Sequence, residues 1–566
     1  MAGLGPLRLR RFLKKEGDNA SPHTDWPRLL AGDWDRWQEA LAAARGGRSV
    51  LIATGVGGYL PMATLDGLLA AALTLRGAEV TVLLCDGCLS ACEYLTVYRV
   101  GQGLERFARQ GAPRDLCRRC YQPARRMFDG LGVRVVTYGE LLSPEEARRA
   151  RELAGHMPAA EIPAYTQDGL KVGEHALAGA LRFFARGDLE NEPLAEPVLR
   201  QYFQAALQAT AAVSHLLERQ RFVCASFHHG IYVPQGLVGE VARSKGVRVA
   251  NWQPAYRKKS FIFSHGDTYH HTMLTEPTTS WENVPWSGEL ERVTLEYLAS
   301  RIHGTRDWIY FHEKPREDVE EVVAEVGLDP DKPWVGLLTN VMWDAQLHYP
   351  ANAFPGMKDW VLETIAYFAR RPDLQLLIRI HPAEIRGGIP SRQLVADEIA
   401  AAFPRLPDNV FVFGPDSDVS TYALMERCDA VIIYGTKTGV ELTSMGVPVI
   451  VAGEAWIRGK GLTRDAGSRQ EYFAILDELP WGRRLDQDTV RRARMYAFHF
   501  FFRRMIPVGC VEPAGGKAAY RVSISGLDEL APGRDPGLEV ICRGILEGTP
   551  FVYPAEDFPG GSHVER

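Results

Sequence analysis

The hydrophobic pattern along the chain alternates between two periods. Residues 49–54 (SVLIAT) form a short apolar, β-branched run that ends in Gly55, Gly57 and Gly58, the mark of a buried strand running into a loop. Helical spacing follows over 63–75, then strands over 79–84 and 134–136. Helical patterns occupy 144–153 and 197–220, a strand 222–227, a helix 235–245 and a strand 248–252. The second half repeats the scheme more cleanly. Its strands fall at 334–338, 374–380, 410–413, 430–434 and 448–452, and its helices at 360–368, 393–403, 419–427 and 438–445. Strands alternating with helices across short loops predict parallel sheets covered on both faces. The fold class is therefore α/β, with two Rossmann-like domains in tandem and ligands expected at the carboxyl ends of the strands.

The pattern divides the chain into an N-terminal domain (1–320), with a Cys-rich insertion at about 85–120, and a C-terminal domain (321–485). A closing helix and a Gly- and Pro-rich tail (486–566) are expected to pack back on the N-terminal domain. The boundary is placed near 316–332, where a charged helix meets the loop LDPDKP. A length of 566 residues suits two cores rather than one. Net charge of −5 argues against a nucleic-acid partner, whose phosphates need a basic face. The most apolar long stretch, 60–75, is too short to span a bilayer and carries Asp66. The N-terminus has no apolar core of a secretory signal, so a cytoplasmic location is expected. There, Leu7, Leu9, Phe12 and Leu13 lie among Arg8, Arg10, Arg11, Lys14 and Lys15. Such a basic amphipathic segment suits peripheral contact with the inner face of a membrane, although a solvated start is the more ordinary reading.

Three loops after strands of the second half carry candidate chemistry. The first is Thr339-Asn340. The second runs from Arg379 through His381 and Pro382 to Glu384, where the proline holds the histidine at the turn and Arg379 or Glu384 is placed to orient it. The third is Tyr434-Gly435-Thr436-Lys437-Thr438-Gly439-Val440-Glu441, small polar residues leading into a helix. Thr436 and Thr438 offer hydroxyls to an anion, Lys437 a charge if it turns inward, and Glu441 a carboxylate for the hydroxyls of a ribose. An ordinary N-capped helix explains the same residues, with Thr436 as the cap. Lys437-Thr438-Gly439 also matches the KTG of penicillin-recognising enzymes, but no serine here has a lysine three residues on.

The set RIHPAE (379–384) followed by CDAVIIYGTKTGVELTSMGVPVIVAG (428–453) resembles the capsule polysaccharide biosynthesis family of GT-B glycosyltransferases. More distantly it resembles Kdo and sialic acid transferases and the polyglycerophosphate polymerases of teichoic acid synthesis. The resemblance spans about residues 334–453. It implies that His381, Thr436 and Thr438 bind the phosphates of a nucleotide-sugar donor. Where family members often carry a serine pair or Ser-Thr, this chain has Thr-Lys-Thr. The resemblance also implies a glycan or glycolipid acceptor on the N-terminal domain.

In the first half, Gly55–Gly58 leaves backbone that a substrate can approach closely, and Asp66 is a candidate either for the cleft or for the helix surface. His228 and His229, at a strand's carboxyl end, are candidate general bases. His265, Asp267, His270 and His271 form a further polar cluster suited to acceptor contacts or metal. Cys85-x2-Cys88-x3-Cys92 is followed by Cys117-x2-Cys120, the spacing of a four-cysteine structural zinc site. An iron–sulfur cluster is the alternative, and either Cys88 or Cys92 is the spare thiol. No redox cofactor is expected. The function expected is transfer of a sugar or sugar acid to a surface polysaccharide. The competing readings are a nucleotide-sugar epimerase on the same fold and a non-catalytic scaffold of polysaccharide assembly.

Overall fold

A strand with apolar side chains on both faces needs cover on both faces, and the structure supplies it twice. The computed structural model describes residues 23–302, 304–308, 315–344, 350–514 and 519–558, so the basic N-terminal segment lies outside the described residues. The first sheet contains β1 (Arg48–Gly55), β2 (Ala78–Leu84), β3 (Arg134–Thr137), β4 (Cys224–His228), β5 (Arg248–Pro254) and β6 (Ser260–His265). Its order is β3-β2-β1-β4-β5-β6, with β1 to β5 parallel and β6 antiparallel to β5. The helix Leu60–Thr74, buried along its whole length, follows β1.

The second sheet contains β7 (Trp334–Leu338), β8 (Gln375–Arg379), β9 (Val410–Phe413), β10 (Ala430–Ile433), β11 (Val449–Val451) and β12 (Arg464–Asp465). All its pairs are parallel, in the order β9-β8-β7-β10-β11-β12. Each sheet thus reverses direction once, between β1 and β4 and between β7 and β10. Doubly wound sheets open a crevice at that reversal.

The tail is less irregular than its composition suggests. The helix Gln487–Phe498 passes into a π-turn at His499–Arg503, and β13 (Ile506–Pro507) then adds antiparallel to β6 on the first sheet. The helix Pro536–Glu547 buries Leu538, Ile541, Cys542 and Ile545. It is fastened to the first unit by an Arg76–Glu539 ion pair at 2.7 Å and by Arg248 donating to the Ile545 carbonyl at 2.6 Å. The helices Arg114–Leu131, Val172–Phe184, Ala195–Arg219 and Gly288–Ile302 are among those that cover the first unit. Among the described residues no helix is long and apolar enough to cross a membrane.

Candidate functional site

The reversal point of the second sheet opens on a cleft of about 880 Å³ between the two units. Asn340 and Asp344 follow β7, Tyr434 and Gly435 follow β10, and Glu454 and Trp456 follow β11. Tyr256 and His270 close it from the first unit. The wall is braced: Tyr434 donates its hydroxyl to the Phe354 carbonyl at 2.9 Å, and Ala351 N–H donates to Glu454 at 3.0 Å.

Beside this cleft, Thr339 accepts the His381 N–H at 3.1 Å, tying the loops after β7 and β8. The Ala383 N–H donates to His381 Nδ1 at 3.1 Å. An accepting Nδ1 carries no proton, so the neutral ring bears its hydrogen on Nε2, a donor suited to an anionic oxygen. Arg379 and Glu384 work elsewhere than expected. The buried Arg379 donates to the Ser417 carbonyl at 3.0 Å and to the Gly414 carbonyl, and burial lowers its pKa to about 10. Glu384 accepts from Val395 N–H at 3.1 Å, and burial raises its pKa to about 7. Both hold loops.

The third loop is tighter than the sequence implies. Thr436 Oγ1 accepts from Thr438 N–H at 3.3 Å and lies 3.1 Å from the Thr438 hydroxyl. Lys437 turns to Glu441 at 3.3 Å, with its ammonium 4.8 Å from the centre of the Tyr256 ring. Gly439 serves packing: a Cβ there would stand 2.6 Å from Ile433 Cδ1 of β10. Glu441 is 2% exposed, and its carboxylate is engaged by Arg301 Nε at 2.7 Å, by Lys437 and by the Tyr422 hydroxyl. Burial works against that charge, but Arg301 and Lys437 outweigh it and lower the pKa. The carboxylate offered for a ribose is thus held inside an ion-pair network reaching to Asp307.

In the first unit the glycine loop has a different use from the one its sequence suggests. A Cβ on Gly57 would lie 2.3 Å from Ala124 Cβ, and one on Gly58 would lie 3.1 Å from Cys120 Sγ. The glycines admit the helix Arg114–Leu131 rather than a substrate. Asp66 is a second correction. It is fully buried, accepts from Trp252 Nε1 at 3.2 Å, and burial raises its pKa to about 7.

His228 and His229 do stand at the end of β4. The His228 pKa is lowered to about 3 by burial and by Arg182, and that of His229 is also depressed by burial. Both imidazoles are therefore neutral at neutral pH. Behind them is a residue the sequence reading did not single out. Glu93 is buried, accepts from Gln235 at 3.0 Å, and lies 4.0 Å from His228 Nδ1. Burial raises its pKa to about 7, against the pull of half-buried Arg182. Arg182 stacks over Tyr232 at 4.5 Å, and the Tyr232 hydroxyl reaches Asp344 across the cleft at 3.4 Å. Glu93 was masked by the cysteine pattern around it, and Arg182 lies on the helix Val172–Phe184, for which the sequence reading set no element. The other polar cluster also meets the second unit, with His271 Nε2 3.5 Å and His270 Nε2 3.8 Å from Glu454.

All nine cysteines are free thiols. Cys85 and Cys88 converge with Asp86 to within 4.8 Å. Cys117 and Cys120 lie one turn apart on the helix Arg114–Leu131, and Cys92 packs between the cores on the two faces of the first sheet. Of the arginines around the second pair, Arg119 and Arg125 pair with Asp115 and Asp129 along their own helix.

Residues 318–478 match the family model described as capsule polysaccharide biosynthesis protein. Among solved structures, the chain is similar to the beta Kdo 2,4 transferase of Thermosulfurimonas dismutans KpsC. Identity is 15%, over 48% of this chain and 79% of that one, with a TM-score of 0.33. Its beta Kdo 2,7 transferase aligns at 12% identity over 56% and 88%, with a TM-score of 0.31. A UDP-GlcNAc 2-epimerase from Neisseria meningitidis bound to UDP-GlcNAc aligns at 10% identity over 80% and 95%, with a TM-score of 0.24. No curated protein matches the sequence.

Proposed function

We propose, from the match of residues 318–478 to the family model described as capsule polysaccharide biosynthesis protein, that the protein is a glycosyltransferase that moves a sugar or sugar acid from a nucleotide-activated donor to a glycan or glycolipid acceptor. The observation that carries this reading is the cleft at the reversal point of the second sheet, closed by Tyr256 and His270 of the first unit. A donor there has its nucleotide on one unit and its sugar facing the other.

In this reading His381 Nε2 and the hydroxyls of Thr436 and Thr438 receive the donor phosphates, with Thr339 and Asn340 shaping the floor. The acceptor enters from the first unit, past Tyr232 and His229. Transfer requires the acceptor hydroxyl to lose its proton as the new bond forms to the sugar carbon and the nucleotide leaves. His228, neutral and 4.0 Å from Glu93, is the group assigned to take that proton. Glu93, with a pKa raised to about 7, is poised near the working pH to share the resulting charge. Asp66 sits one layer deeper and supports Trp252, whose ring lies 5.0 Å from that of His228.

The test is to incubate the full chain with radiolabelled nucleotide sugars, with and without a lipid-linked glycan acceptor. Label should move only when acceptor is present. Conversion of the sugar without acceptor would replace this reading with an epimerase, and inactivity towards every donor would leave a scaffold. His381→Ala and Thr438→Ala should each weaken nucleotide binding by roughly 1–3 kcal/mol, the cost of a lost charge-assisted hydrogen bond. Calorimetry showing unchanged affinity in both variants would remove the phosphate assignment.

A further inference from the structure

Two elements at the carboxyl end of the first sheet carry a cysteine pair each, the loop after β2 and the helix Arg114–Leu131. Cys85 follows β2 and begins a tight loop in which Gly87 takes a φ of +97°. That conformation, which favours glycine, turns the Gly87 N–H back onto Cys85 Sγ at 3.4 Å. The Leu89 N–H and the Cys88 thiol also donate to Cys85 Sγ. A loop that directs amide hydrogens at one sulfur stabilises a thiolate there.

The second pair is carried on the helix Arg114–Leu131, where a spacing of three residues puts Cys117 and Cys120 on one face. This face is pressed onto the first. A Cβ on Gly87 would stand 3.0 Å from Cys117 Cβ. Cys120 Sγ accepts the Gly58 N–H at 3.0 Å, from the loop after β1. Cys120 thus accepts one backbone amide, where Cys85 accepts two.

Cys92 differs. It is flanked by apolar residues of both cores, and it stands outside the group in which Cys85 and Cys88 converge to within 4.8 Å. Its backbone carbonyl accepts the Tyr202 hydroxyl at 3.1 Å. Sequence spacing leaves Cys88 and Cys92 equivalent, whereas the fold puts Cys88 beside Cys85.

We propose that Cys85, Cys88, Cys117 and Cys120 bind one zinc ion, with Cys92 a packed thiol outside the set. Four thiolates complete the tetrahedral shell that zinc takes in structural sites, and each thiol gives up its proton when the ion binds. The ion would tie together the loop after β2, the glycine loop after β1 and the helix Arg114–Leu131. Its role is structural, in bracing the floor on which Tyr59 and Glu93 stand.

The test uses the full chain purified without metal-affinity resin. Elemental analysis should give about one zinc per chain. Cobalt(II) exchanged into the wild-type protein should produce strong thiolate-to-metal absorption and the intense visible bands of a tetrahedral site, a readout that needs no variant to fold. Cys92→Ser should retain full zinc and the same cobalt spectrum. Cys117→Ser/Cys120→Ser should lose zinc and melt at lower temperature. Metal-free wild-type protein from zinc-supplemented cells, iron with acid-labile sulfide in place of zinc, or loss of zinc in Cys92→Ser would each overturn the proposal. None of these outcomes depends on sugar transfer, so failure of the functional reading leaves this test intact.

Discussion

Asp66, Glu93 and Glu384 are carboxylic acids in surroundings that resist a charge, and burial raises each to about 7. For Asp66 this has a direct consequence for stability. The unfolded chain loses the Asp66 proton near the ordinary value of 3.8, whereas the folded chain keeps it to about 7. Between those values the native state binds more protons, so the Asp66 contribution falls as pH rises, on the order of 1 kcal/mol per pH unit, and levels off above about 7. Asp66→Asn keeps an acceptor for Trp252 without the charge. Its stability relative to wild type should therefore improve from pH 5 to pH 7.5, measured by denaturant unfolding at each pH. A difference independent of pH would show that Asp66 titrates normally. The histidine pair was legible as a candidate at this scale, because histidines follow a strand. Their neutral state was not, because it depends on burial and on Arg182, from a helix remote in sequence.

The helix Arg114–Leu131 shows how elements are matched to one another. Its buried face, including Cys120, Ala124, Met127 and Phe128, packs towards the first sheet, and the loop after β1 must be thin where it passes. Gly57→Ala would place a methyl 2.3 Å from Ala124 Cβ and 3.0 Å from the Cys120 carbonyl. Such overpacking should cost about 1–3 kcal/mol, read as a lower denaturant midpoint with an unchanged slope. Unchanged stability would mean that the helix yields freely. The glycines at 55, 57 and 58 were visible in the sequence, but glycine before a helix reads equally as room for substrate or room for protein. Likewise, the helix Gly288–Ile302 supplies Arg301, which engages Glu441. A carboxylate one turn into a helix looks available until its partner, 140 residues away in the chain, is known.

At the scale of the whole molecule, the first unit is completed by chain from both ends of the sequence. The segment after 485 crosses back to the first unit. There β13 extends the first sheet, Arg36 pairs with Asp528 at 2.7 Å, and the helix Pro536–Glu547 lies under Arg76 and Arg248. A chain ending at residue 485 should expose the apolar surface now covered by Leu538, Ile541 and Phe551 and leave the edge of β6 open. It should be aggregated by size-exclusion chromatography and melt well below the full chain. A soluble monomer of unchanged melting temperature would show that the tail is dispensable. The two units also meet directly, with Lys358 on Asp188 at 2.6 Å and Arg301 on Glu441 at 2.7 Å.

The sequence by itself determined the α/β class, the two sheets and the loops that follow their strands, because buried parallel strands are short apolar runs and their ends are marked by glycine, proline and small polar residues. Strands β7 and β9 fall on the bounds that the pattern sets. The RIHPAE and YGTKTG segments carried the resemblance to a family that residues 318–478 match. What only the tertiary structure decided was the partner of each group. That Glu441 is engaged by Arg301, that Asp66 is buried beneath Trp252, that Glu93 stands behind His228, and that Cys88 rather than Cys92 joins Cys85 are all contacts between segments distant in sequence or turned by a local loop. Periodicity reports which face of an element is buried. It carries no information on what the face is buried against, and in this chain that determines which polar residues remain available at the cleft.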